Sequence, residues 1–555
     1  MRALKTVATI AIASLALVAA GAGYGKGAVV RALHGPAHFL TADRCMACHS
    51  DLTTSSGVDV SIGFDWRASV MANSSRDPYW QASVRREVLD HPKASAEIQD
   101  ECTTCHMPMQ RFTARAAGGR GVAFARFPSL RGTEPLDSLS ADGVSCTTCH
   151  QIQNTRLGER ESFNGGFVID TLTPVARRPV FGPYVVDRGH TTVMHSSSSF
   201  VPTQSDHIRS SELCATCHTL YTASLDSSGR PIGSLPEQMP FLEWRHSAYV
   251  GEQSCQSCHM PSAVANNDSI SITNVDGPRR PDLRRHVFVG GNFLLLGMLN
   301  RYRGDLAVEA PPKELDAVAA HTRELLRHAA RVTVMPVPDA APGASPDGSR
   351  RLVVDVDVTN LSGHKLPTAY PSRRAWLHFT VRDSRSAIVF ESGALMASGR
   401  IAGNDNDDDR TKYEPHYREI ARPDQVQIYE SIMGDQGGAV TTGLLSAVGY
   451  LKDNRILPRG FEKATAARDI AVIGDAASDP AFSAGAHRTR YRVDVGRAPG
   501  PFRVDVDLWY QPIGYRWAHN LSLQPAAETD RFVSYYDSMA GATGEVLARA
   551  GVTVP

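Results

Sequence analysis

The chain contains ten cysteines, and every one belongs to a Cys-x-x-Cys-His unit. The five units are Cys45, Cys48 and His49; Cys102, Cys105 and His106; Cys146, Cys149 and His150; Cys214, Cys217 and His218; and Cys255, Cys258 and His259. Two thiols three residues apart share one helical turn and can form thioethers with both vinyl groups of one porphyrin, while the adjacent imidazole meets the iron from below. Zinc would need four ligands per site, so pairs of units would have to converge, and the constant place of five histidines would go unexplained. An even cysteine count in an exported chain commonly signals disulfides, but a histidine after every pair contradicts that reading. The spacing therefore predicts five covalent haem c groups.

Five six-coordinate irons need five further ligands, and fifteen of the twenty histidines lie outside the units. His91, in Leu-Asp-His-Pro, precedes the second unit, His207 precedes the fourth, His246 precedes the fifth, and His286 follows it. These four are the expected distal ligands, with surface or core histidines as the alternative reading. A fifth is sought at Met71, whose thioether would raise an iron's potential, although methionine as helix core is the commoner case. His34, His38, His190 and His195 are weaker candidates in the same stretch.

The elements that must carry these groups differ along the chain. Residues 30–310 are read as a pentahaem domain of short helices and loops, in which the macrocycles supply much of the apolar core. Beyond it, Leu315, Val318, Ala319, Thr322, Leu325, Leu326 and Ala329 keep helical spacing behind Pro311 and Pro312, which predicts a connecting helix over 311–330. Val332 to Val334, a Pro/Gly/Ser-rich loop, and alternating Val354, Val356 and Val358 predict a hairpin. Further alternation at Leu377 to Val381, Val493 to Val495 and Val504 to Leu508 predicts an antiparallel β-sandwich over 331–530, with an irregular insertion near 401–461. A helical tail is expected over 531–555. The fold class is thus α+β.

At the N-terminus, Arg2 and Lys5 precede an apolar run from Val7 to Ala20, the pattern of a signal peptide over 1–22. An uncleaved anchor is the alternative, and no cysteine follows that could take a lipid. Export to the periplasm is expected, with the outer surface or the extracellular space as alternatives. The 58 basic and 58 acidic side chains and a pI near 7.3 give no electrostatic case for nucleic acid or an anionic membrane. Each haem adds two propionates against one net ferric charge, so loading makes the protein more acidic by about five charges.

The haem segment resembles the exported cytochromes of the cytochrome c-552/4-like group. The likeness rests on Asp-Arg-Cys-Met-Ala-Cys-His at 43–49, Glu-Cys-Thr-Thr-Cys-His-Met-Pro at 101–108, Glu-Leu-Cys-Ala-Thr-Cys-His-Thr-Leu at 212–220 and Ser-Cys-Gln-Ser-Cys-His-Met-Pro at 254–261. That resemblance implies haems packed in close pairs, with mostly bis-histidine irons passing electrons along the stack. Gly-His-Lys-Leu-Pro-Thr at 363–368 and Trp-Ala-His-Asn-Leu at 517–521 resemble the C-terminal domain of some longer members. His364 is then either a turn histidine or a cap on an iron in the neighbouring domain, and His416 and His519 stand in the same position more weakly. The run Asn404, Asp405, Asn406, Asp407, Asp408, Asp409 offers oxygens as calcium loops do, but Arg410 replaces the loop glycine and His416 the bidentate glutamate, which favours a solvated acidic loop over calcium.

Two functions follow. A carrier exchanges single electrons through saturated irons, with redox proteins such as a quinol dehydrogenase or other cytochromes as partners. A reductase or oxidase would act on nitrite, hydroxylamine or tetrathionate at an open iron. Related nitrite-reducing cytochromes replace the catalytic motif histidine by lysine; all five units here end in histidine, which favours the carrier. In a third class the sandwich docks the haem chain to a partner, compatible with either. With all ten thiols in thioethers, denaturing mass spectrometry of the holoprotein should give the chain plus five haems and no alkylatable thiol. Three haems or fewer, with disulfides, would refute the assignment.

Overall fold

The computed structural model describes residues 38–124, 135–264, 268–337 and 350–555. The expected signal peptide, His34 and most of the Pro/Gly/Ser-rich loop of the predicted hairpin lie outside these residues.

In the N-terminal half, short helices separated by loops carry the cysteine units. Asp43–Met46 (α1) opens the first unit. Pro78–Asp90 (α2) starts where the Asp77 carboxylate accepts the amides of Tyr79 and Trp80 at 2.8 and 3.1 Å and Pro78 fills the first helical position. Ser95–His106 (α3) ends in the second unit, Cys146–Cys149 (α4) opens the third, and Ser211–His218 (α5) ends in the fourth. Pro240–Arg245 (α6) precedes Cys255–His259 (α7), which is the fifth.

Two helices join the halves. Phe293–Arg301 (α8) buries Phe293, Leu294, Leu295, Leu296, Met298 and Leu299, so it is apolar nearly all round and sits inside the core. No helix was expected there, because a continuous apolar run of this length gives no periodicity to read. Pro312–Arg327 (α9) buries Leu315, Val318, Ala319, Thr322 and Leu326, the stripe expected from its spacing.

The C-terminal half is a sandwich of two sheets. Ala330–Pro336 (β1), Arg350–Asn360 (β2), Arg374–Arg382 (β3), Ile388–Ser392 (β4), Ala486–Gly496 (β5), Phe502–Gln511 (β6) and Glu545–Val554 (β7) supply its main strands. One sheet runs β4-β3-β6-β7 and the other runs Glu419–Ile420, β5, β2, β1. In β2, Val354, Val356 and Val358 are fully buried, while Asp355 and Asp357 on the opposite face pair across the ladder with Arg490 and Arg488, both at 2.7 Å. Across the sandwich, Phe379 of β3 stacks on Tyr491 of β5 with ring centres 3.8 Å apart.

The tail departs from expectation. Its helix, Ala527–Ser538, ends early, and β7 pairs antiparallel with β6 from Phe502 to Tyr510. Ala548, Ala550, Val552 and Val554 alternate with the more exposed Arg549, Gly551 and Thr553, a period of two that suits an edge strand rather than a helix. The insertion holds a hairpin of Ser431–Asp435 with Ala447–Asp453, and its acidic run forms the short helix Asp405–Asp408 capped by Asn404. Asp407 is buried there, with both oxygens on Arg374 at 2.8 and 2.9 Å, and Asp408 pairs with Arg400. Among the described residues no helix is long and apolar enough to cross a membrane.

Replacing Arg374 by Met would leave the Asp407 charge buried without its partner. Urea unfolding should show a loss of about 3–5 kcal/mol, whereas Asp408→Asn, on a half-exposed pair, should cost under about 1 kcal/mol.

Candidate haem-ligand histidines and their surroundings

Four of the five motif histidines spend Nδ1 on a backbone carbonyl from another segment. His49 reaches Ile272 O at 2.7 Å, His106 reaches Ser74 O at 3.1 Å, His150 reaches Phe181 O at 2.5 Å and His259 reaches Val289 O at 2.6 Å. A carbonyl only accepts, so Nδ1 carries the proton and Nε2 keeps its lone pair. Among the described residues Nε2 of these rings has no partner. Burial pushes His106 and His218 down to about 4 and lowers His49, His150 and His259, which keeps all five imidazoles neutral at physiological pH.

Two motif histidines face a second imidazole. His150 and His286 have ring centres 6.5 Å apart and planes 20° from parallel; His259 and His364 have centres 6.2 Å apart and planes 11° from parallel. His286 and His364 also use Nδ1 on carbonyls, those of Arg284 at 3.1 Å and Lys365 at 3.0 Å. Burial brings them down to about 3 and about 4. Metal–imidazole bonds are about 2.0 Å and a ring nitrogen lies about 1.1 Å from its ring centre, so two rings on opposite sides of one metal stand about 6.2 Å apart. The donor type, tautomer and spacing of both pairs fit a haem iron.

The cysteines place the units beside one another: Cys45 lies near Cys146, Cys105 near Cys217, and Cys214 near Cys255, each close enough to shift its neighbour's ionisation. Units one and three are therefore neighbours, as are two and four, and the fourth also meets the fifth. Cys149 is raised to about 12, by burial first and then by the nearby Cys217.

Other expected ligands sit differently. His207 is buried with Nδ1 on Ser205 Oγ at 2.7 Å and Nε2 on Ile152 O at 2.8 Å, which uses both nitrogens. His246 turns Nε2 to Glu462 O at 3.0 Å and packs its ring edge on Phe461. His91 is buried, with Nε2 3.3 Å from Ser446 Oγ and Nδ1 without a partner. His190 bonds Asp187 and the Asp276 carbonyl, and His195 bonds the Ala176 carbonyl. His38 packs on Phe112. Met71 is half-buried, and its carbonyl accepts the amide of Val144 at 3.0 Å. Among the described residues none of these histidine rings pairs with a motif histidine ring.

His416 lies within the sandwich in a cluster that sequence reading missed. The ligand atoms of His416, Asp479 and His487 fall within 4.8 Å of one another, a spacing a metal could use. The His416 tautomer argues against that use. Gln427 and Asn454 both direct amide nitrogens at its Nδ1, at 3.3 and 3.2 Å, and their oxygens are held by the amides of Tyr417 and Glu430. Nδ1 therefore accepts, Nε2 carries the proton, and it donates to Asp479 at 3.0 Å. The cluster is a buried hydrogen-bond network with two neutral imidazoles.

No family model matches the sequence, and no curated protein matches it. Among solved structures the chain is similar to a penta-heme cytochrome c552 from Thermochromatium tepidum, with a TM-score of 0.50 and 14% identity, covering 94% of this chain and all of that one. At that identity the likeness concerns the fold.

The buried cluster makes the protein sensitive to acid. Burial pushes His416 down to about 3 and lowers His487, so each takes up a proton on unfolding once the pH falls below about 6.5. The unfolded chain binds more protons between about pH 3 and 6.5, and stability is lost as pH falls through that window. His416→Gln should flatten the slope of unfolding free energy against pH by about 1.4 kcal/mol per pH unit there, measured by denaturant titration. An unchanged slope would mean that this imidazole is already protonated in the fold.

Proposed function

We propose that the chain is an exported multihaem cytochrome c that passes electrons through five covalently attached haems. The five Cys-x-x-Cys-His units supply ten thioether positions and five proximal ligands, and His286 and His364 are the distal ligands opposite His150 and His259. The carrying observation is the two pairs of facing imidazoles, at 6.2 and 6.5 Å, each ring with Nδ1 held by a carbonyl and Nε2 left free. The similar solved structure is that of a penta-heme cytochrome, which supports the same reading.

Bound haem supplies one-electron chemistry, and the protein sets its potential through ligand type and burial. The residues of this chain hold the imidazoles neutral, aim their Nε2 atoms and exclude water from them. The proximity of their cysteines gives an order of passage in which the first unit meets the third, the third meets the fourth, and the fourth meets the second and the fifth. A periplasmic or outer-surface location and redox proteins as partners follow from the signal-like N-terminus and this chemistry.

A reductase reading draws on a specific observation: His49, His106 and His218 face no second histidine among the described residues. Carbon monoxide separates the two readings, because it binds only an iron with an exchangeable position. The reduced parent should show no stoichiometric carbon monoxide shift if it is a carrier, and His286→Ala should add one equivalent of binding per chain. Reduction of nitrite, hydroxylamine or tetrathionate by the parent at enzymatic rates would overturn the carrier reading.

A further inference from the structure

His364 reaches across from the sandwich to the fifth unit, and the loop that carries it is held by charged groups removed from water. Lys365 Nζ donates to Asp453 at 2.7 Å and to the Ala471 carbonyl at 3.1 Å. Arg455 pairs with the same Asp453 at 2.7 Å and with Glu243 at 3.0 Å. Glu243, on α6 between the fourth and fifth units, accepts the backbone N–H of Lys365 at 3.2 Å and the hydroxyl of Thr368. The side chains of Lys365 and Glu243 are 0% exposed, Asp453 3% and Arg455 8%. Two cations and two carboxylates thus form a neutral quartet, with one member in the haem segment and three in the sandwich.

The remaining contacts converge on the same loop. Asn360 and Ser362 donate to the His364 carbonyl at 2.8 and 3.0 Å, and the Tyr249 hydroxyl donates to Leu361 O at 3.0 Å. A side chain at Gly363 would meet Trp244 at 3.3 Å, so the loop lies close against the segment between the two units. The hydrogen bonds to His364 among the described residues fix its backbone and its Nδ1, and none takes Nε2.

We propose that Lys365, Asp453, Arg455 and Glu243 are positioning residues that hold His364 over the fifth haem, so that the sandwich governs whether this iron is closed. The inference rests on His364 as a ligand. A buried charge cannot shed its partner without drawing in water or moving, so the quartet acts as a two-state latch rather than a soft tether. With it intact the imidazole has one position. With it broken the loop is released from α6.

The test uses the full-length holoprotein in four forms: parent, His364→Ala, Lys365→Leu and Glu243→Gln. Each is checked for five haems by mass and for unchanged far-ultraviolet circular dichroism, and is then read by carbon monoxide uptake and by the ferric low-spin signal. All three variants should gain one equivalent of carbon monoxide binding per chain, with loss of one low-spin signal, and added imidazole should restore that signal. Glu243→Gln keeps an acceptor for the Lys365 amide and removes the charge and the acceptor that Arg455 pairs with, so it serves where Lys365→Leu does not fold. If His364→Ala gains the equivalent while both latch variants match the parent, the latch is refuted and the ligand reading stands. If His364→Ala also matches the parent, the ligand reading fails and takes the latch with it.

Discussion

The arrangement of the N-terminal half depends on a small constraint repeated from unit to unit: a motif imidazole must give its Nδ1 proton to a carbonyl that its own helix cannot supply. The accepting groups of His106, His150 and His259 lie about thirty residues away in sequence, and that of His49 lies more than two hundred away. Each such bond fixes one ring orientation and brings a remote loop onto the helix end that carries the unit. Residues 268–289 do this twice, for His49 and His259, which is why a stretch with little regular structure is nonetheless well placed.

Chemistry was easier to read from the sequence than position. The units are local patterns, and so are the strands, whose alternation placed β2, β3, β5 and β6 and whose stripe placed α9. The helix Phe293–Arg301 was not legible, because six buried apolar residues in nine leave no polar face to set a period. The final strand was hidden by residues of good helix propensity such as Glu545, Leu547, Ala548 and Arg549, and pairing with β6 overrode that preference.

The candidate distal histidines divide for a related reason. His286 and His364 each have a flanking backbone carbonyl as Nδ1 partner, so their short local sequence settles which nitrogen is left free. His207 has a local partner too, Ser205, but the bond that uses its second nitrogen comes from Ile152 in another unit, and nothing near residue 207 announces it. Proximity in sequence to a cysteine unit was the reason for naming His207 and His246, and it carries no information about contacts this distant.

Position and electrostatics are set by different residues around the fifth unit. The latch places two cations against two carboxylates, so its summed charge vanishes and its field beyond a few ångströms is weak, however firmly it holds the loop. Arg373 behaves otherwise. It donates to the Thr368 carbonyl and the Asn292 side chain, forms no ion pair among the described residues, and adds to burial in disfavouring the charged forms of His218, His259 and His364. A lone cation there destabilises further positive charge over the fourth and fifth units alike. Ferric iron carries one more positive charge than ferrous, so the same field would favour the reduced state of a haem held at either unit, and the two would shift together. A shared cation beside a neutral charge quartet would thus tune both sites without loosening the loop that carries His364.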